Sequence, residues 1–127
     1  MITAEFAANF AAEWLEARNN HNIEKVLALY SDDCVTYSPM ALQYAPDTKG
    51  KLEGKAALKM YWQGGFQLFP DLHLSLLDVL VGIDTITIYY LNIGSDKKAA
   101  EVLFFNESRE VYKSSICYSE VTFDHFY

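Results

Sequence analysis

Across residues 54–82, GKAALKMYWQGGFQLFPDLHLSLLDVLVG, the apolar residues change period at a single proline, and that switch leaves few folds open. Upstream of it, Leu58, Tyr61 and Trp62 recur at the three-to-four spacing of a helix face. Downstream, Leu72, Leu74 and Leu76 alternate with His73 and Ser75 as in a half-buried strand. Pro70 lacks an N–H and its ring clashes with the preceding turn, so the helix must end before it. It also pushes Phe69 toward extended geometry. The stretch is one amphipathic helix running into the first strand of a sheet.

The rest of the chain supplies more of both. Phe6, Phe10 and Trp14 repeat every four residues behind Thr3, a plausible N-cap, and predict a first helix. Arg18-Asn19-Asn20-His21-Asn22 breaks that period. Asn22 then caps a second helix with Ile23, Val26, Leu27 and Tyr30 on its apolar face, which Asp32 and Asp33 end. Residues 34–39 read as a short strand closed by Pro39, and residues 40–52, which carry no period, as a loop at a pocket rim. Strand-like runs at 85–93, 99–105 and 111–123 follow, separated by turn signals, as an antiparallel meander. The expectation is a single α+β domain spanning residues 1–127, with three helices on one face of a curved, mainly antiparallel sheet. Apolar residues of both parities in the strands predict a second covered face, and hence a homodimer.

Charge narrows the partners. A net charge of −7 argues against nucleic acid and anionic membrane surfaces, leaving a small hydrophobic molecule or another protein. No apolar run approaches the roughly 18 residues of a spanning helix. The first residues have neither a basic nor an apolar signal region, so a cytoplasmic location is expected. Cys34 and Cys117 lack metal-ligand spacing and read as buried, reduced thiols. His21, His73 and His125 are too dispersed for a metal site, so no cofactor is expected. Asp71 reads as an organiser of the Phe-Pro-Asp turn, and His73 as structural or exposed.

Helix, helix, Tyr-Ser-Asp-Asp, a strand ending Ser-Pro, a Glu-Gly-Lys-Ala-Ala helix, Phe-Pro-Asp-Leu and a closing meander together resemble the nuclear transport factor 2-like superfamily. The likeness is to its SnoaL-like polyketide cyclase and ketosteroid isomerase branches, over about residues 6–121. That resemblance implies a cone-shaped fold, homodimers, and isomerase, cyclase or non-catalytic roles. It places Ser38 where the isomerases carry their general-base aspartate, and Trp14 where they carry an oxyanion-binding tyrosine. Glu101 falls near the cyclases' strand carboxylic acid, with Tyr30, Tyr61 and Tyr118 at inward pocket positions. The last strand's register follows from Ile-Cys-Tyr-Ser-Glu-Val, which ends at Val121.

The residues themselves single out Glu101. In an alternating strand it shares a face with Ala99, Leu103 and Phe105, so its carboxyl points into the apolar side, where desolvation of an unpaired acid raises its pKa and suits it to proton transfer. If the strand lies at an edge, Glu101 instead faces solvent beside Lys97 or Lys98. Two readings follow. One is a cofactor-free isomerase or cyclase with Glu101 as catalytic acid–base and Trp14, Tyr30, Ser38, Tyr61 and Tyr118 around the ligand. The other is a non-catalytic ligand-binding or dimerisation module lacking the usual base.

Overall fold

The computed structural model describes residues 1–119. The expected continuation of the last strand to residue 123, the Glu120–Val121 part of the resemblance, and His125 lie outside them. The elements are helices α1 (Ala4–Asn19), α2 (Ile23–Leu27), α3 (Pro39–Tyr44) and α4 (Gly54–Leu68). The strands are β1 (Tyr30–Tyr37), β2 (Lys51–Glu53), β3 (Leu74–Val81), β4 (Thr85–Asn92), β5 (Lys97–Phe105) and β6 (Val111–Tyr118). They form one six-stranded sheet in the order β2-β1-β6-β5-β4-β3. Every pair is antiparallel except β1 with β6. The α+β expectation holds, and α4 ends one residue before Phe69, as Pro70 requires.

The core lies between the helices and the inner sheet face. Phe10 and Phe6 of α1 meet Phe105 of β5 edge-on, with ring centroids 4.9 and 5.6 Å apart. Ile86, Ile88 and Tyr90 of β4 are buried at alternate positions, and Ala99, Glu101, Leu103 and Phe105 of β5 likewise. The far end of α1 is clasped to the sheet by one side chain. Asn19 Nδ2 donates to the Leu74 carbonyl at 3.0 Å, and the Leu74 N–H donates back to Asn19 Oδ1 at 2.7 Å.

Several boundaries differ from the sequence reading. Arg18 does not break α1 but lies within it and is buried with Trp14 and Leu15. The second helix stops at Leu27, because the Leu29 carbonyl accepts the Val111 N–H at 3.0 Å and draws the chain into the sheet. Tyr30 therefore starts β1, and Asp32 and Asp33 sit within that strand rather than ending a helix. Residues 40–52 are structured. Ser38 caps α3, its Oγ accepting from the Ala41 N–H at 3.3 Å, with Pro39 at the first turn. Gly50 then turns at φ +82° so that its carbonyl accepts the Ser38 N–H at 2.9 Å. Each of these pieces is shorter than the window in which a period can be recognised.

Strand β3 forms one edge of the sheet. Leu74 is buried, but Leu76 is 44% exposed beyond the cover of α1, and the register shifts between Leu76 and Asp78. Cys34 is buried as expected, whereas Cys117 is exposed, since its partner Ala100 lies on the outward parity of β5. His73 and Asp71 are exposed. Two glycines interrupt the second half of α4, Gly64 and Gly65, although a Cβ at either would meet nothing within 4 Å. Packing does not demand them, and each costs a helix interior about 0.5–1 kcal/mol relative to alanine.

Candidate functional site

Trp14 and Arg18 are one turn apart on the buried face of α1 and point toward the middle of the sheet. There β5 presents Glu101, which is 1% exposed. Its cross-strand neighbours on both sides are apolar, Ile88 and Ile116. The carboxylate is not unpaired. Glu101 Oε2 accepts from Arg18 Nη1 at 3.0 Å and from the Tyr90 hydroxyl at 2.8 Å. Lys97 and Lys98 take no part, because β5 is an interior strand and Glu101 follows the inward parity.

Aromatic rings enclose this pair. The Arg18 guanidinium lies 4.7 Å from the Trp14 ring centroid and 5.7 Å from that of Trp62, which α4 brings down from above. Trp14 Nε1 donates to the Tyr30 hydroxyl at 3.2 Å, and Tyr30 meets Trp62 edge-on at 5.4 Å. Farther out, the Ser38 and Tyr61 hydroxyls are 3.0 Å apart, with Tyr118 beside Tyr61. Sequence-derived candidates from five different elements, and Ser38 at the cap of α3, thus converge. Arg18 and Tyr90 were missed. Arg18 extends the four-residue ladder of Phe6, Phe10 and Trp14, and a cation on that ladder was the available signal. Tyr90 shares the parity of Ile86 and Ile88.

The electrostatics follow from burial. For Arg18, desolvation opposes the charge, but Glu101 and the surrounding tyrosines outweigh it and hold the guanidinium above its ordinary value. Burial raises Tyr30, Tyr90 and Tyr118 above the ordinary phenol value, and the Glu101 charge adds to it. Burial also raises Tyr61, against the opposing hydrogen bond from Ser38. A phenol whose folded pKa is raised stabilises the fold below the unfolded value of about 10, and that contribution is lost as the pH climbs through the folded value. In an alkaline ultraviolet titration these four phenols are expected to ionise only together with loss of the circular dichroism signal. Reversible ionisation of every tyrosine near pH 10 with the fold intact would contradict this account.

Chemically, the cluster offers a carboxylate able to take a proton, a guanidinium able to stabilise developing negative charge on oxygen, and phenols able to donate. Two surface concavities lie elsewhere. One is a groove of about 390 Å3 lined by Glu24, Leu27, Lys55 and Lys59. The other is a smaller hollow lined by Ile2, Asp84, Phe105 and Arg109. Among the described residues no group of three His, Cys, Asp or Glu side chains is placed to hold a metal ion. Among the same residues no helix is long and apolar enough to cross a membrane.

The profile of the SnoaL-like domain matches residues 11–109. A SnoaL-like protein of unknown function from Burkholderia thailandensis is 35% identical, with 93% of this chain and 98% of that one covered at a TM-score of 0.88. A nuclear transport factor 2-like protein from Cytophaga hutchinsonii is 12% identical, covering 94% and 92% at a TM-score of 0.67. A protein with a ketosteroid isomerase-like fold from Catenulispora acidiphila, solved with trimethylamine, is 14% identical, covering 86% and 84% at a TM-score of 0.65. The last two share the fold. Comparison with curated proteins finds no match.

Proposed function

Since the chain belongs to the SnoaL-like domain family, we propose that it binds a small hydrophobic carbonyl compound against the Arg18–Glu101 cluster and moves a proton on it without a cofactor. The observation that carries this reading is the buried ion pair itself. Placing two charges and four phenols in the middle of a small core is a poor way to gain stability, because desolvation offsets most of their attraction. Such groups concentrate where chemistry or recognition needs them. In this scheme Glu101 takes a proton from the carbon next to the carbonyl, and the C–H electron pair moves onto the carbonyl oxygen as an enolate. Arg18 and Tyr30 stabilise that oxygen, and Glu101 returns the proton at a second carbon. Ser38 serves as a cap and a phenol partner rather than as the base, and Trp14 steadies Tyr30.

The test is deuterium exchange into a steroid-like enone in heavy water, followed by nuclear magnetic resonance. Wild type is expected to catalyse exchange and Glu101→Gln to lose about a hundredfold or more of that rate. Equal rates for the two proteins would remove Glu101 from the chemistry. A second reading, a non-catalytic module, is favoured by the enclosure of Glu101, which is 1% exposed and lines neither surface concavity. No exchange in wild type would leave that reading standing.

A homodimer is part of the same proposal. The outward parity of the sheet carries Leu80, Tyr89, Val102 and Phe104 in neighbouring strands, and Leu80 is 55% exposed. A second copy laid on this face would cover it. Sedimentation at micromolar concentration is expected to give a dimer, and a monomer there would refute the assignment.

A further inference from the structure

Arg18 is half used. Its Nη1 is committed to Glu101, and its Cζ lies 4.7 Å from the Trp14 ring centroid and 5.7 Å from that of Trp62. The edge made by Nε and Nη2 is not. Among the described residues Nε is buried without a hydrogen-bond partner, and the hydrogen bonds Arg18 makes use Nη1 alone. The side chain is only 10% exposed and Nε is buried, so the bond missing at Nε is not left to bulk solvent. An orphaned donor of this kind is destabilising, the more so on a charged group. Nε and Nη2 form the parallel two-donor edge of a guanidinium, the geometry that matches two oxygens of one carboxylate.

We infer that the free edge of Arg18 is a recognition site for the carboxylate of an aromatic or alicyclic acid. The rings of Trp14 and Trp62, 0% and 5% exposed, lie beside the guanidinium, so a ligand seated on that edge would pack against aromatic surface that is buried in the free protein. Trp62 of α4 covers the cluster, and Gly64 and Gly65 follow it, with Phe66 beyond them stacked on His21 at 4.3 Å. This assignment rests on the ligand-binding part of the proposed function and not on proton transfer.

Charge balance adds a second property. Arg18 carries one positive charge and Glu101 already offsets it. The other groups facing Glu101 are the neutral phenols Tyr90 from β4, Tyr30 from β1, Tyr61 from α4 and Tyr118 from β6. A bound carboxylate would leave two buried anions on one cation, so Glu101 competes with the ligand for the charge of Arg18.

Benzoate is the probe and benzamide its neutral counterpart, with binding read from Trp14 and Trp62 fluorescence and from calorimetry. Wild type is expected to bind benzoate in preference to benzamide. Arg18→Lys keeps the charge but loses the fork, and is expected to weaken benzoate by about tenfold or more. Glu101→Gln removes the competing anion, and is expected to tighten benzoate by about tenfold or more. In wild type, where folding is not in question, the Arg18 Nε–H resonance is expected to move on adding benzoate. No benzoate binding, an unmoved Nε–H resonance, or equal affinity for benzamide would overturn the inference, even with enone exchange intact.

Discussion

Replacing Arg18 by methionine is expected to lower the stability of the fold by about 3–5 kcal/mol, the usual cost of stranding one partner of a buried ion pair. Glu101 would remain 1% exposed with a single hydrogen bond, from Tyr90. Methionine fills much of the space between Trp14 and Trp62, so little of the loss would come from a cavity. The control is the double replacement Arg18→Met with Glu101→Leu. It removes both charges and is expected to recover most of the stability, or to exceed wild type. Urea denaturation of the three proteins decides the matter. If Arg18→Met alone costs less than about 1 kcal/mol, the pair is solvated and the electrostatic picture of the site is wrong.

Trp14→Ala is expected to cost about 3–5 kcal/mol, as for other fully enclosed tryptophans. Trp14 is the largest side chain with 0% exposure. It packs against Tyr90 at 5.9 Å, supports Arg18, and donates to Tyr30. Trp14→Phe separates these roles. It keeps most of the volume and loses the N–H, so a loss of about 1–3 kcal/mol is expected from the Tyr30 hydroxyl left without its donor. Thermal unfolding of both variants measures the difference. An alanine variant no less stable than the phenylalanine one would show that the site collapses around the gap.

The strands and long helices were legible because their periods are long enough to count. The inward parity of Glu101 in β5 and the stop of α4 before Pro70 both followed from that. Residues 38–53 were not legible. A six-residue helix, a single 3-10 turn and a three-residue strand, held by a serine cap and a glycine, never complete a period. Tyr30 was assigned to the wrong element but the right side, since a residue that ends a helical stripe can enter a strand with its ring still inward. The Arg18–Glu101 pair joins residues 83 positions apart, and no local pattern encodes such a partner. The carboxyl's direction was therefore predictable and its company was not.

The one parallel contact of the sheet, β1 against β6, fixes when the molecule can be finished. Strand β1 forms near the start of the chain but gains its inner neighbour only after residue 111 is available. A ribosome must therefore release β6 before the centre of the sheet can close. Until then Glu101 has no sheet edge sealed on its β6 side, and β1 carries only the short β2. The burial of the Arg18–Glu101 pair is therefore expected to arise abruptly once β6 has emerged rather than in proportion to the length of chain released.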